Sequence, residues 1–178
     1  MDQSTSKVIR QGEWLFLTAP GWEPSTPPQI QPPPEAIVGG WMVDENGNVG
    51  PFQPNPDYLP ADEATPTDPL DAILRLIAGG EQQLIDEFVS MLCHSIVEIG
   101  CDEDDQPVVT VMPDDILCVV IATAQAQKLG VEVDRWWPVA GSDLPEIIPG
   151  DAGILLNPNG CAPLCLVADA LTPPRSGL

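Results

Sequence analysis

Apolar positions fall into short blocks along the chain, and the period of each block predicts one element. Glu13 to Thr18 (E-W-L-F-L-T) alternates as a strand does, and Ile37 to Val43 reads as a second strand. Gly39-Gly40 inside that strand suits a bulge or the close approach of another backbone. Asp44-Glu45-Asn46-Gly47-Asn48 predicts a hairpin turn of type I′, since Asn-Gly accepts positive φ, with a return strand over Val49 to Phe52. The period then lengthens. Leu70, Ile73, Leu74 and Ile77 share one helical face, with Thr67 as the expected N-cap, Asp68 and Asp71 near the positive end of the dipole, and Gly79-Gly80 as the stop. A second helix over about Glu81 to Cys93 carries Leu84, Ile85, Phe88, Val89 and Leu92 on one side.

From Ser95 the pattern returns to strands. Ile96 to Cys101, Pro107 to Met112 and Ile116 to Thr123 predict three strands, separated by acidic turns at Asp102–Asp105 and Asp114-Asp115. An antiparallel meander is their simplest arrangement. Ala124 to Leu129 predicts one or two helical turns, and Trp136-Trp137-Pro138-Val139 a further strand. Ser142 is the expected cap of a short helix around Leu144 to Ile148. Ile154 to Asn157 reads as a strand, Asn157-Pro158-Asn159-Gly160 as a turn, and Leu164 to Val167 as a last short strand. Between the first two strands Pro20, Pro24, Pro27, Pro28, Pro32, Pro33 and Pro34 fix φ and withhold backbone donors, predicting an extended polyproline-type arm.

These elements define an α+β fold: a mostly antiparallel sheet with two to four short helices and a proline-rich amino-terminal arm wrapped on it. The expected organisation is a flexible tail over 1–12, a single domain over 13–168 and a flexible tail over 169–178. Within the domain, 13–93 holds the hairpin, the proline-rich loop and two helices, and 94–168 holds the sheet half. No internal repeat is visible.

Charge narrows the partners. The 178 residues include 27 acids and 6 bases, a formal charge of −21, so phosphate backbones and anionic lipid are repelled and nucleic-acid binding is not expected. A basic protein would be attracted. Hydrophobic residues at 43% support a folded core despite 22 prolines. The polar Met1 to Gly12 lacks an apolar export segment, and no run approaches the ~20 apolar residues of a membrane span. Five cysteines (Cys93, Cys101, Cys118, Cys161 and Cys165), mostly in apolar runs, predict buried free thiols in a reducing cytoplasm.

Candidate chemistries fail on spacing. There is no G-x-S-x-G elbow, and the single histidine, His94, adjoins Cys93 on a helix where neighbours do not face each other. A zinc site would have to gather Cys161 and Cys165 with Cys93, His94 and Cys101, yet no C-x-x-C pair is present. Asp44, Asn46 and Asn48 begin like a calcium loop, but Val49 and Asn55 stand where glycine and glutamate are needed. No glycine-rich phosphate loop with its lysine follows a strand. The expectation is a non-enzymatic protein without metal or cofactor. Trp136-Trp137-Pro138 points instead to a protein-facing surface: strand neighbours face opposite ways, so at most one tryptophan is core, while the other covers the proline arm or sits at an interface. The candidate partner-binding residues are Trp136 and Trp137 with Asp102, Glu103, Asp104, Asp105, Asp114 and Asp115.

Three stretches carry a resemblance. They are the proline-rich lead-in with I-V-G-G-W-M-V-D-E-N-G-N-V-G-P-F at 37–52, N-P-D-Y-L-P at 55–60 and P-T-D-P-L-D-A at 66–72. Together they resemble an actinobacterial family associated with type VII secretion. The carboxyl half, through the strand into Thr123, W-W-P-V-A at 136–140 and I-L-L-N-P-N-G at 154–160, is similar to the SseB amino-terminal domain. The resemblance spans about Trp14 to Val167 and implies no catalytic residues. It implies an accessory or chaperone-like factor that binds another protein: a secretion substrate, a secretion component or a toxin domain. The runner-up reading is an immunity protein whose acids occupy the cationic cleft of a secreted toxin.

Overall fold

A computed structural model describes residues 5–24, 31–113, 115–150, 152–167 and 170 of the chain. The fold is α+β, built on two sheets. The first contains β1 (Val8–Gln11), β2 (Trp14–Thr18), β3 (Ile37–Val43) and β4 (Val49–Pro54), antiparallel and in chain order. β1 corrects the expected 1–12 tail. Gly12, at φ 60°, closes a tight turn that lays Val8–Gln11 along β2. The glycine pair of β3 serves close approach: a Cβ on Gly39 would stand 2.5 Å from Gln53 O and on the ring of Phe52, and one on Gly40 2.8 Å from Leu15 O. The β3–β4 turn corrects the type I′ expectation. Among its residues only Gly47 has positive φ, and its N–H donates to Asp44 O, giving a three-residue turn with a left-handed closing glycine. The Asp44 carboxylate accepts from the N–H groups of Asn46 and Asn48, and from Asn48 Nδ2.

The proline arm lies partly outside the described residues, at 25–30. Its end, a 3-10 turn over Pro34–Ala36, is tied to β4 because Asn55 Nδ2 donates to Pro34 O and Ile37 O. The helix α1 (Pro69–Ala78) buries Leu70, Leu74 and Ile77 as the period predicts. Its N-cap is Asp68 and not Thr67. Pro69 takes the first helical position, which puts the Asp68 carboxylate in reach of the Leu70 and Asp71 N–H groups. Gly79 and Gly80 end it, the latter at φ 113°. A 3-10 turn then leads into α2 (Ile85–Cys93).

The second sheet holds β5 (Ile96–Cys101), β6 (Val109–Val111), β7 (Leu117–Ala122), β8 (Arg135–Ala140), β9 (Gly153–Leu156) and β10 (Leu164–Leu166), in the order β10-β9-β7-β5-β8. The expected meander is replaced by a different register. β5 pairs with Ile121 and Ala122 and β6 with Leu117 to Val119, so the two lie end to end along one edge of β7. The acidic segment 102–106 is an excursion between them, closed by a bridge from Cys101 to Pro107. β9 runs parallel to β7 because the connection passes through β8 and α3 (Leu144–Ile147) first. Ser142 is not the cap of α3. It lies inside a 3-10 turn running straight into the helix, and its hydroxyl donates to Asp143 Oδ1.

The main core forms where α1, α2 and α3 cover one face of this sheet, with Phe88, Leu92, Val97, Ile99, Val119, Ile121, Leu144, Ile154 and Leu156 inside. A smaller cluster of Val38, Phe52 and Tyr58 fills the first sheet. Backbone joins the halves: Phe52 N–H donates to His94 O, and Phe52 bridges Ser95. Among the described residues no helix is long and apolar enough to cross a membrane. Apart from Ala170, the predicted 169–178 tail lies outside the described residues.

Candidate functional site

Two places combine unusual chemistry with defined geometry. One is a buried polar junction at the carboxyl ends of the parallel strands β7 and β9, where open sheets commonly bind ligands. Asn157, at φ 48°, turns its amide onto the next residue after β7: Oδ1 accepts from Thr123 N–H at 3.0 Å and Nδ2 donates to Thr123 Oγ1 at 2.9 Å. The hydroxyls of Thr123 and Thr67 both donate to Asp68 Oδ2 at 2.7 Å, and Gln127 Nε2 donates to Thr67 Oγ1. Burial pushes the Asp68 carboxyl above its ordinary range, and these hydrogen bonds oppose the push. Next to it Asp71 Oδ2 accepts from Thr67 N–H and Arg75 Nε, while Asp71 Oδ1 is buried without a partner.

An open depression of about 250 Å³ lies beside this junction, lined among others by Glu63, Thr65, Arg75, Gln127 and Cys161. Its one guanidinium is already committed. Arg75 bonds Asp71 Oδ2, Glu63 O and Thr65 O, which leaves little capacity for an anionic ligand. The junction therefore acts as a clamp joining α1 to the ends of two strands. Sequence reading missed it because its members are scattered over 67–157. The available signal was a few polar residues, Thr67, Asp68, Thr123 and Asn157, abutting strongly apolar blocks.

The second place is the free edge of the second sheet. Among the described residues β8 pairs only with β5, with Ile99 opposite Trp137 and Gly100 opposite Trp136. Trp137 thus shares the helix-covered face with Ile99, yet it is 51% exposed, since among the described residues no strand lies beyond β8. Trp136 takes the other face, half-buried with the Lys128 ammonium 5.7 Å from its ring centre, and Lys128 also pairs with Glu98. Neither tryptophan is core, which is within the expectation that at most one would be. The Gly141 N–H donates to Ser95 O in this register, so odd residues face β5 and Trp136, Pro138 and Ala140 direct their backbone outward. Pro138 offers no donor there, which blocks strand addition and leaves side chains to recognise a partner.

The structure brings the first acidic turn to this edge. Arg135 is opposite Cys101, its guanidinium reaches Asp105 Oδ1 at 2.8 Å, and Asp134 N–H donates to Cys101 O. Asp102 Oδ1 accepts from Asp104 N–H and Gln106 N–H, which shapes the turn and presents Glu103, Asp104 and Asp105 to solvent. Asp115 is elsewhere, in the β6–β7 turn, and Asp114 lies outside the described residues. Four of the six basic side chains, Lys7, Arg75, Lys128 and Arg135, are each paired with a carboxylate, so most of the acid excess is left uncompensated at the surface.

The candidate metal ligands are dispersed. His94 Nδ1 is hydrogen-bonded to Ser90 O at the end of α2, Cys161 lies against Glu63 O, and Cys165 lies against Cys118. Among the described residues no three His, Cys, Asp or Glu side chains gather as a metal site. Comparison of the chain with family profiles, with curated proteins and with solved structures returns no match.

Proposed function

We propose that this chain is a non-enzymatic, cytoplasmic protein-binding factor that works in association with type VII secretion. The observation that supports protein binding is the β8 edge, where half-exposed Trp137 lies two residues along the strand from Arg135, whose guanidinium holds Asp105 of the solvent-facing 102–105 turn. Tryptophan contributes large contact area at low entropic cost, and it dominates interfaces when ringed by polar groups. The acids around it favour a partner carrying a basic patch, and they accelerate its encounter at low salt. The secretion association rests on the sequence resemblance over 37–72 and 136–160.

A cross-linked pull-down with the full chain tests the reading, using Trp137→Ala and the double variant Glu103→Gln/Asp104→Asn as comparators. One basic partner should be recovered by the parent chain, and its affinity should fall as salt rises. Either variant should weaken binding by tenfold or more. A partner bound equally well by all three chains would refute the assignment of this edge. A recovered secretion substrate or machinery component fits the accessory role. Recovery of a toxin domain whose activity the chain blocks would make it an immunity protein, the alternative use of the same acidic surface.

A further inference from the structure

Cys118 of β7 and Cys165 of β10 lie on the two strands that flank β9. The register sets Cys118 beside Gly153 and Cys165 beside Leu155, so both thiols share one face of the sheet. That face is opposite the one on which Val119, Ile121, Ile154 and Leu156 meet the helices. Cys118 and Cys165 would ordinarily be separated by the side chains of the intervening strand. Gly153 carries none, and a Cβ there would collide with Leu166 O. The two sulfurs stand 2.9 Å apart. A disulfide bond is about 2.05 Å long and joins Cα atoms about 4.4–6.8 Å apart. Closure therefore asks for a further approach of about 0.9 Å between the sulfurs and, because β9 lies between the two strands, for a backbone shift of the short β10 toward β7.

We propose that Cys118 and Cys165 are a disulfide-forming pair that clips the edge strand β10 to the central strand β7 under oxidising conditions. Cys118 is fully buried and Cys165 is partly exposed, so Cys165 is the sulfur that a soluble hydroperoxide reaches. In the first step the Cys165 sulfur attacks the peroxide: an S–O bond forms, the O–O bond breaks, and the leaving oxygen departs as an alcohol or water with the thiol proton. In the second step the Cys118 sulfur attacks the sulfenic sulfur: the S–S bond forms, the S–O bond breaks, and hydroxide leaves as water with the Cys118 proton. Two thiols are oxidised by two electrons and one peroxide is reduced. Of the three remaining cysteines, Cys101 lies against Ile99 O and Cys161 against Glu63 O. A three-residue edge strand is among the first elements to open locally, and the clip would hold it closed.

The full chain, treated with hydrogen peroxide under native conditions, alkylated and digested, tests this by mass spectrometry. The expected product is a Cys118–Cys165 cross-linked peptide that has lost two hydrogens, is reversed by dithiothreitol, persists in the Cys93→Ser/Cys101→Ser/Cys161→Ser variant and is absent from Cys165→Ser. If both thiols stay open to alkylation after peroxide and unfolding, the proposal fails. It fails equally if Cys165 is driven to sulfinic acid without a cross-link, or if the link forms only after denaturation.

Discussion

Replacing Asp68 with alanine should cost this fold several kcal/mol although no apolar contact is deleted. The carboxylate accepts four hydrogen bonds: Leu70 N–H at 2.8 Å, Asp71 N–H at 3.1 Å, and the Thr67 and Thr123 hydroxyls at 2.7 Å each. Loss of the N-cap removes about 1 kcal/mol. The Thr123 hydroxyl can turn to Asn157 Oδ1, 3.2 Å away, so its loss is small. Among the described residues the Thr67 hydroxyl donates only to Asp68, while its oxygen accepts from Gln127 Nε2. Its buried proton adds about 1–3 kcal/mol. The total is about 2–4 kcal/mol, a large share of the 5–15 kcal/mol typical of a domain. For a chain of this size it corresponds to a midpoint lowered by about 5–15 °C. Urea titration and calorimetry at neutral pH measure it. Asp68→Asn keeps one acceptor oxygen for the cap while placing an amide against the hydroxyls, so it should fall between parent and alanine. An alanine variant within about 0.5 kcal/mol of the parent would refute the clamp, that being the scatter of neutral surface changes. An asparagine variant as damaged as alanine would refute the acceptor argument.

Three further predictions follow from the same geometry. Phe88, with no exposed surface in the main core, should lose about 3–5 kcal/mol on Phe88→Ala, read by urea denaturation. Gly39→Ala drives a methyl onto the Phe52 ring and Gln53 O, and should destabilise by about 1–3 kcal/mol in the same assay. The third concerns pH. The folded pKa of Asp68 is raised above its ordinary 3.8, so the native state binds that proton more tightly than the unfolded chain does. Its contribution is therefore fully present below pH 3.8 and is lost as pH rises through the raised value. Asp68→Asn should remove this falling limb, changing the slope of stability against pH by at most about 1.4 kcal/mol per pH unit in that window. Parallel slopes for parent and variant would contradict it.

Much of the architecture was legible because local periods were clean. Leu70, Leu74 and Ile77 at helical spacing between a capping segment and Gly79-Gly80 admit one reading, and β3 was placed from Ile37 to Val43 with the bounds it has. The errors were matters of reach. Thr67 and Asp68 are both good caps, and only the position of Pro69 as the first helical residue decides between them. Asn46-Gly47 satisfies two turn types, and the choice depends on how β3 and β4 pair. For the candidate site, the sequence named Trp136, Trp137 and the acids of the 102–105 turn. It could not show that Arg135 ties Asp105 to the start of β8 while Asp115 lies in the separate β6–β7 turn.

What the sequence determined by itself was most of the elements from Trp14 onward, their buried faces and the acid excess, since these follow from period, turn chemistry and composition, which act over a few residues. What tertiary structure decided was adjacency. β5 and β6 sharing one edge of β7, β9 running parallel to β7, Thr123 meeting Asp68 across 55 residues, and Cys118 facing Cys165 across 47 all depend on long-range register. Register is fixed by burying whole faces at once, and that energy belongs to the assembled sheet and not to any segment of the chain.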